Sequence, residues 1–151
     1  MKNYTRILAS ITLLLLAFGT TVAHASAPSG TISVTPNTGL ADGQSVQVSG
    51  SGFQKNLALA IIECGPIQPF PLKGGWQSAT CTYYSVTMTT DADGNFAAQD
   101  FTVSSVIQGA YWTHGHNVPA TYDCRVRNDC HIHVYSTVTG NTSVNQDLLF
   151  S

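Results

Sequence analysis

Four histidines form two His-x-His pairs, His114-Gly115-His116 and His131-Ile132-His133. Alternate residues of a β-strand share a face, so the second pair would bring two imidazoles close together if it lies in a strand. Two imidazoles at that spacing suit zinc or copper, and the first pair could complete a four-nitrogen site by folding over the strand. The alternative is that these histidines line a polar cleft or lie on the surface. The pattern leaves both interpretations open.

Four cysteines fall into two local pairs, Cys64 with Cys81 and Cys124 with Cys130. Neither pair has the Cys-x-x-Cys spacing of a zinc site or a redox centre. Of the three possible connectivities, the sequential one is the most economical because each bridge then closes a single loop. In an exported chain these residues are expected to form disulfides.

The aromatic residues cluster in two irregular segments, 65–80 and 108–121, and in the strands beside them. We predict a cleft in which aromatic rings stack on a ligand while histidine and tyrosine side chains orient it by hydrogen bonds. The predicted ligand-binding residues are Trp76, Tyr83, Ser85, Tyr111, Trp112, His131, His133 and Tyr135.

Catalytic patterns find little support. The sequence has no Gly-x-Ser-x-Gly motif and, with both bridges formed, no free thiol nucleophile. Its single glutamate, Glu63, directly precedes a cysteine of the first pair, and the Asp91 and Asp93 carboxylates fit the hydrogen bonding of a turn. We therefore predict that the protein is not an enzyme.

The first 25 residues have the features of a signal peptide. Lys2 and Arg6 precede an apolar run over 7–18, which is shorter than the roughly 20 residues that span a bilayer. Cleavage is expected after Ala25 or Ala27, which leaves 26–151 as one secreted domain without a membrane anchor. The mature chain then has four basic and eight acidic residues, and this net charge of −4 disfavours direct binding to nucleic acid.

Alternation of apolar and polar residues dominates the mature chain, as in Val46 and Val48, and no segment has a helical stripe. Turn sequences such as Asp91-Ala92-Asp93-Gly94 separate the runs. About seven strands at this spacing predict an all-β, immunoglobulin-like Greek-key sandwich. The segments 65–80 and 108–121 do not fit strands, and we expect them to form long loops at the rim.

Several motifs together resemble the neocarzinostatin family, the apoproteins of enediyne antibiotics. They are Val34-Thr35-Pro36, Gly39-Leu40, Asp42-Gly43, Val46-x-Val48-x-Gly50-x-Gly52, Thr90-Asp91-Ala92-x-Gly94, Asp123-Cys124 with Cys130, and the final strand that ends at Phe150. The resemblance covers nearly the whole mature chain.

The resemblance implies a seven-stranded sandwich with a small appended ribbon, two disulfides and a cleft beside one sheet. It also implies a secreted apoprotein, expected to be monomeric, that shelters an enediyne-type chromophore without a covalent bond. DNA would then be damaged only through the ligand, and no other cofactor is expected. Two alternatives stay open: a metal-binding module that uses His114, His116, His131 and His133, and a surface interaction domain without a ligand.

Overall fold

The structure is a computed structural model that describes residues 30–69, 77–113, 115–138 and 142–151. The predicted signal peptide, Trp76 and His114 lie outside these ranges, and the described part holds no helix long and apolar enough to cross a membrane. Its eleven strands are β1 Thr31–Thr35, β2 Thr38–Leu40, β3 Ser45–Ser51, β4 Ala58–Pro69, β5 Gln77–Thr82, β6 Val86–Thr89, β7 Phe96–Thr102, β8 Val106–Thr113, β9 His116–Asp123, β10 Cys130–Ser136 and β11 Ser143–Phe150.

The strands form two sheets. The smaller sheet has the order β1-β3-β7, and the larger has the order β2-β11-β10-β4-β5-β8-β9, with β6 paired to β4. The pairs are antiparallel except for the parallel contact between β11 and β2. This architecture confirms the predicted all-β, immunoglobulin-like sandwich.

The core lies between the sheets and follows the alternation that the sequence shows. In β3, Val46 and Val48 are buried while their neighbours are more exposed, and in β10 Ile132 and Val134 are fully buried. Phe101 and Val103 also point inward. Because the side chains of a strand alternate between two faces, the residues between these core positions are left to form the outer surface of each sheet.

Both disulfides form with the sequential pairing. Cys64 and Cys81 face each other in β4 and β5, with their Cα atoms 4.1 Å apart, so the first bridge links neighbouring strands. The bridge between Cys124 and Cys130 closes a short loop directly before β10. Each bridge restricts the unfolded chain and is expected to stabilise the fold by about 2–4 kcal/mol.

The prediction that 65–80 and 108–121 are long loops is wrong for the described residues. Strand β4 continues to Pro69, and β5 begins at Gln77. Strands β8 and β9, of eight residues each, form a hairpin that occupies most of the second segment. These strands were not predicted because the prediction relied on alternating apolar and polar residues. A ribbon whose faces are in contact with solvent does not need that alternation. Pro119 is tolerated because β9 is an edge strand that pairs only with β8.

Glu63 is a fully buried carboxyl on the core face of β4. Its Oε2 accepts a hydrogen bond from the Ser104 N–H at 2.8 Å, and its Oε1 has no partner within the described chain. Burial raises the pKa of Glu63 to about 7 from an ordinary value of 4.5, although the Ser104 bond opposes the shift. The negative charge of Asp42 raises the pKa further. Glu63 therefore keeps its proton in the folded state at mildly acidic pH.

Gly109 marks the closest approach of β5 and β8. A Cβ at this position would overlap the carbonyl oxygen of Cys81 and lie 3.2 Å from the Cα of Thr82. Strand pairing here is short, with only Cys81 opposite Ala110 and Thr82 opposite Gly109. The absence of a side chain at Gly109 is therefore what allows the β8–β9 hairpin to join the larger sheet.

We predict that Glu63→Gln flattens the pH dependence of stability between about pH 4.5 and 7. In this window the folded chain keeps a proton that the unfolded chain releases, so the unfolding free energy falls as pH rises, by at most about 1.4 kcal/mol per pH unit. The neutral amide does not titrate and removes this slope. Urea denaturation across the range measures it. Asp93→Asn, at an exposed turn carboxylate, should keep the parent's slope, and parallel profiles for parent and Glu63→Gln would contradict the assignment.

We predict that Gly109→Ala destabilises the fold by about 3 kcal/mol, because the new methyl meets backbone atoms that cannot move independently. The comparison variant is Gly39→Ala, where the methyl meets nothing within 4 Å but φ is 63°. That variant should cost only about 1–2 kcal/mol for its left-handed backbone. Chemical denaturation measures both, and an equal loss at the two sites would refute the close approach at Gly109.

Candidate ligand-binding cleft

Strands β4 and β10 carry the candidate site on the face opposite the core. In their antiparallel register, Ile62 lies opposite His133 and Cys64 lies opposite His131. These side chains leave the outer face of the larger sheet, while Ile61 and Ile132 point into the core. The same two strands therefore build the hydrophobic core and the floor of the site.

A cavity of about 400 Å³, which we call the histidine cavity, lies on this outer face. Its walls are mainly apolar, and the Cys64–Cys81 bridge contributes to them. The lining residues are Ile62, Cys64, Ile67, Ser78, Ala79, Cys81, His131, His133, Tyr135 and Asn145.

A second cavity of about 280 Å³, the ribbon cavity, lies between the same floor and the β8–β9 hairpin. Its lining residues are Ile62, Cys81, Thr82, Tyr83, Ser85, Ala110, Asn117 and Tyr135. Ile62, Cys81 and Tyr135 line both cavities. The two cavities are therefore neighbouring parts of one feature, which we call the cleft.

Three aromatic rings form a row along β10. The rings of His131 and His133 have centroids 6.3 Å apart and lie nearly perpendicular, at 77°. The rings of His133 and Tyr135 have centroids 5.5 Å apart and are stacked, with an angle of 20° between their planes. The row places three polarisable rings in one wall of the cleft, and such rings make favourable contacts with an aromatic ligand.

The described lining of the cleft includes no Lys, Arg, Asp or Glu. The His133 Nδ1 lies 2.6 Å from Oδ1 of Asn145, its cross-strand neighbour in β11. Burial, and then the neighbouring His133, lowers the pKa of His131 below its ordinary value of 6.5, while Asp147 and Asp129 act in the opposite direction. His131 is therefore neutral at pH 7.

Five of the eight predicted ligand-binding residues line the cleft. His131 and His133 line the histidine cavity, Tyr83 and Ser85 line the ribbon cavity, and Tyr135 lines both. The structure also confirms that His131 and His133 share a face, as the strand prediction required. Whether these residues contact a ligand stays a prediction.

Tyr111 and Trp112 do not line either cavity. As neighbours in β8 they leave opposite faces of the hairpin, and the predicted loop around them is a strand. Trp112 lies opposite Asn117, which lines the ribbon cavity, so the Trp112 ring is at the rim and is 57% exposed. Tyr111 is on the other face. Trp76 is outside the described residues.

Of the four histidines in the predicted metal site, His114 lies outside the described residues. His116 is exposed at the start of β9. In the part of the chain that the structure describes, no group of three or more His, Cys, Asp or Glu side chains could hold a metal ion.

A third hollow of about 510 Å³ lies beyond Tyr83, which it shares with the ribbon cavity together with Thr82. Its other lining residues are Tyr84, Thr102, Ser104, Val106 and Gln108. It is larger than either part of the cleft, but its described lining includes neither an imidazole nor a cysteine of the first disulfide. We therefore place the candidate site in the cleft.

Some cleft residues were missed by the sequence prediction. The structure adds Ile62, Ile67, Ser78, Ala79, Thr82, Ala110, Asn117 and Asn145 to the lining. Asn145 is the most informative of these because it bonds to His133. Its signal in the sequence is weak, since it depends on the register between β10 and β11, and a shift of one residue would put Asn145 on the other face.

Comparisons with known proteins agree with the fold. The chain is similar to the solved structure of macromomycin, with 27% sequence identity, a TM-score of 0.66, and coverage of 81% of this chain and 99% of that chain. It is also similar to the solution structure of apokedarcidin, with 26% identity, a TM-score of 0.57, and coverage of 82% and 99%. A search of curated protein sequences found no match.

A scan against protein-family models matches residues 32–146 to the neocarzinostatin family. The match covers every described lining residue of the cleft and both disulfides. The motifs in the sequence, the two-sheet fold and the match over most of the chain agree: the chain belongs to the neocarzinostatin family.

Proposed function

We propose that the protein is a secreted apoprotein whose cleft holds an apolar aromatic small molecule, an enediyne-type antibiotic chromophore, without a covalent bond. The observation that carries the proposal is the pair of adjoining cavities on the outer face of β4 and β10. Their volumes of about 400 and 280 Å³ are in the size range of small-molecule sites. Membership of the neocarzinostatin family supports the same assignment.

The lining explains how such a ligand would be held. Ile62, Ile67 and the Cys64–Cys81 bridge offer an apolar surface, whose burial against the ligand is favourable by roughly 25 cal/mol per Å². The ring of Tyr135, which borders both cavities, offers a stacking surface. Burial in this cleft would keep water and reactive thiols away from a labile ligand.

The charge and the ends of the chain fit the same role. A net charge of −4 after loss of the leader repels the phosphates of DNA, so the ligand, after release, would be the DNA-damaging agent. The disulfides and the predicted signal peptide over 1–25 support secretion. We assign the protein no catalytic activity; the Glu63 carboxyl, for example, faces the core and not the cleft.

We predict that the purified protein binds a planar aromatic probe such as a substituted naphthalene, and that Tyr135→Ala weakens binding about tenfold. The substitution removes a stacking surface shared by both cavities, a loss on the order of 1.4 kcal/mol. Fluorescence titration measures the affinity.

Tyr84→Ala is the matched control, because Tyr84 lines the third hollow but not the cleft. Its affinity should equal that of the parent once folding is verified by thermal denaturation. Loss of binding in Tyr84→Ala but not in Tyr135→Ala would move the site out of the cleft. Native mass spectrometry of protein from the producing cells then tests the enediyne assignment, for which an added mass of several hundred daltons is expected.

A further inference from the structure

We propose that the cleft selects ligands that donate a hydrogen bond, specifically a hydroxyl on a planar aromatic ring, through the unprotonated ring nitrogen of His133. This inference rests on the proposed function and names the chemical class that the same site prefers. It follows from which ring nitrogen of His133 donates a hydrogen bond and which accepts one. The register between β10 and β11 determines this, because it places Asn145 opposite His133.

The tautomer of His133 is set by Asn145. The His133 Nδ1 lies 2.6 Å from Oδ1 of Asn145, and an amide oxygen can only accept a hydrogen bond. Nδ1 must therefore carry the proton. A neutral imidazole has one ring proton, so Nε2 has a lone pair and can only accept. No residue in the described part of the chain hydrogen-bonds to Nε2 of His133, which leaves that acceptor to a ligand.

His131 places a second imidazole in the same wall, with its ring centroid 6.3 Å from that of His133. Burial, and then the neighbouring His133, lowers the pKa of His131 below its ordinary value of 6.5, so the neutral ring predominates at pH 7 and has one acceptor nitrogen.

Few titratable groups face the two rings. On β10 the neighbouring titratable group is Tyr135, and on β11 it is Asp147, which is exposed and lies opposite His131. On β4 the facing residues are Ile62 and Cys64, which is in a disulfide. Asp129, which precedes the strand, forms an ion pair with Arg127. No described side chain in the histidine cavity carries a fixed positive charge, so an acidic anion gains no partner there.

The stacked geometry explains why the hydroxyl should belong to an aromatic ring. Tyr135 lies flat against His133, and Ile62 lies opposite His133 in the floor. A planar ligand that packs on Ile62, Ile67 and the disulfide would have its edge toward the imidazole row. A ligand without a donor would bury the Nε2 lone pair unpaired, which is costly.

Two probes of nearly the same shape test the inference. We expect 2-naphthol to bind the parent protein about tenfold more tightly than 2-methoxynaphthalene, whose ether oxygen cannot donate. Fluorescence titration of the purified chain at neutral pH measures both affinities. Equal affinities would overturn the inference while leaving the proposed function in place. Failure of both probes to bind would instead overturn the proposed function together with the inference.

Variants identify the residue. His133→Phe keeps a ring beside Tyr135 but removes the acceptor, so it should bind both probes with the same affinity. Asn145→Leu removes the group that fixes the tautomer and should reduce the preference for 2-naphthol. His116→Phe, at an exposed position outside the cleft, is the matched control and should keep the full preference. A retained preference in His133→Phe would refute the role of His133.

A spectroscopic measurement tests the tautomer without any ligand. In ¹⁵N-labelled protein, Nδ1 of His133 should have the shift of a protonated ring nitrogen and Nε2 that of an unprotonated one. In Asn145→Leu the two shifts should move toward each other as the second tautomer becomes populated. A protonated Nε2 in the parent protein would overturn the proposal whatever the probes show.

Discussion

The register between β4 and β10 is the constraint on which both the core and the cleft depend. With Ile62 opposite His133, Ile61, Ile132 and Val134 point into the sandwich, whereas Ile62, His131, His133 and Tyr135 line the cleft. A slip of one residue would bury the imidazoles and expose Ile132 and Val134. The four core side chains nearest this pairing, Leu59, Ile61, Ile132 and Val134, are fully buried, so the hydrophobic effect that stabilises the fold also orients the ligand-binding face.

The sandwich was predictable because its strands obey local rules. Strand β3, with Val46 and Val48, alternates as a half-buried strand should, and the turn at Asp91–Gly94 has the residues that such turns require. The sequential disulfides followed from spacing. The long β4 and the β8–β9 hairpin could not be predicted this way. Gly109 contributes no side chain to an apolar–polar pattern. Its role, which is to let β5 and β8 approach closely, depends on the backbone of Cys81, which is distant in sequence.

The site was predictable only in part, for a related reason. His131, His133 and Tyr135 were identifiable because a single strand places alternate residues on one face. Asn145 lies in another strand, and its contact with His133 depends on a hairpin register that the sequence leaves open. Trp112 was expected inside the cleft as a loop residue, whereas its position in β8 puts it at the rim. Residues such as Asn145, which join the cleft from a partner strand, could be identified only once the strand pairing was known.

The position of the first disulfide has a consequence for the redox behaviour of the protein. Cys81 lines both cavities and Cys64 lines one, so a reducing agent that attacks this bridge through the cleft must enter the space that a guest would fill. A molecule that binds only the oxidised form shifts the dithiol–disulfide equilibrium toward the intact bridge by simple mass action. If the proposed function holds, occupant and bridge would protect each other: the filled protein would resist reducing surroundings, and the empty one would be the form that such surroundings can open.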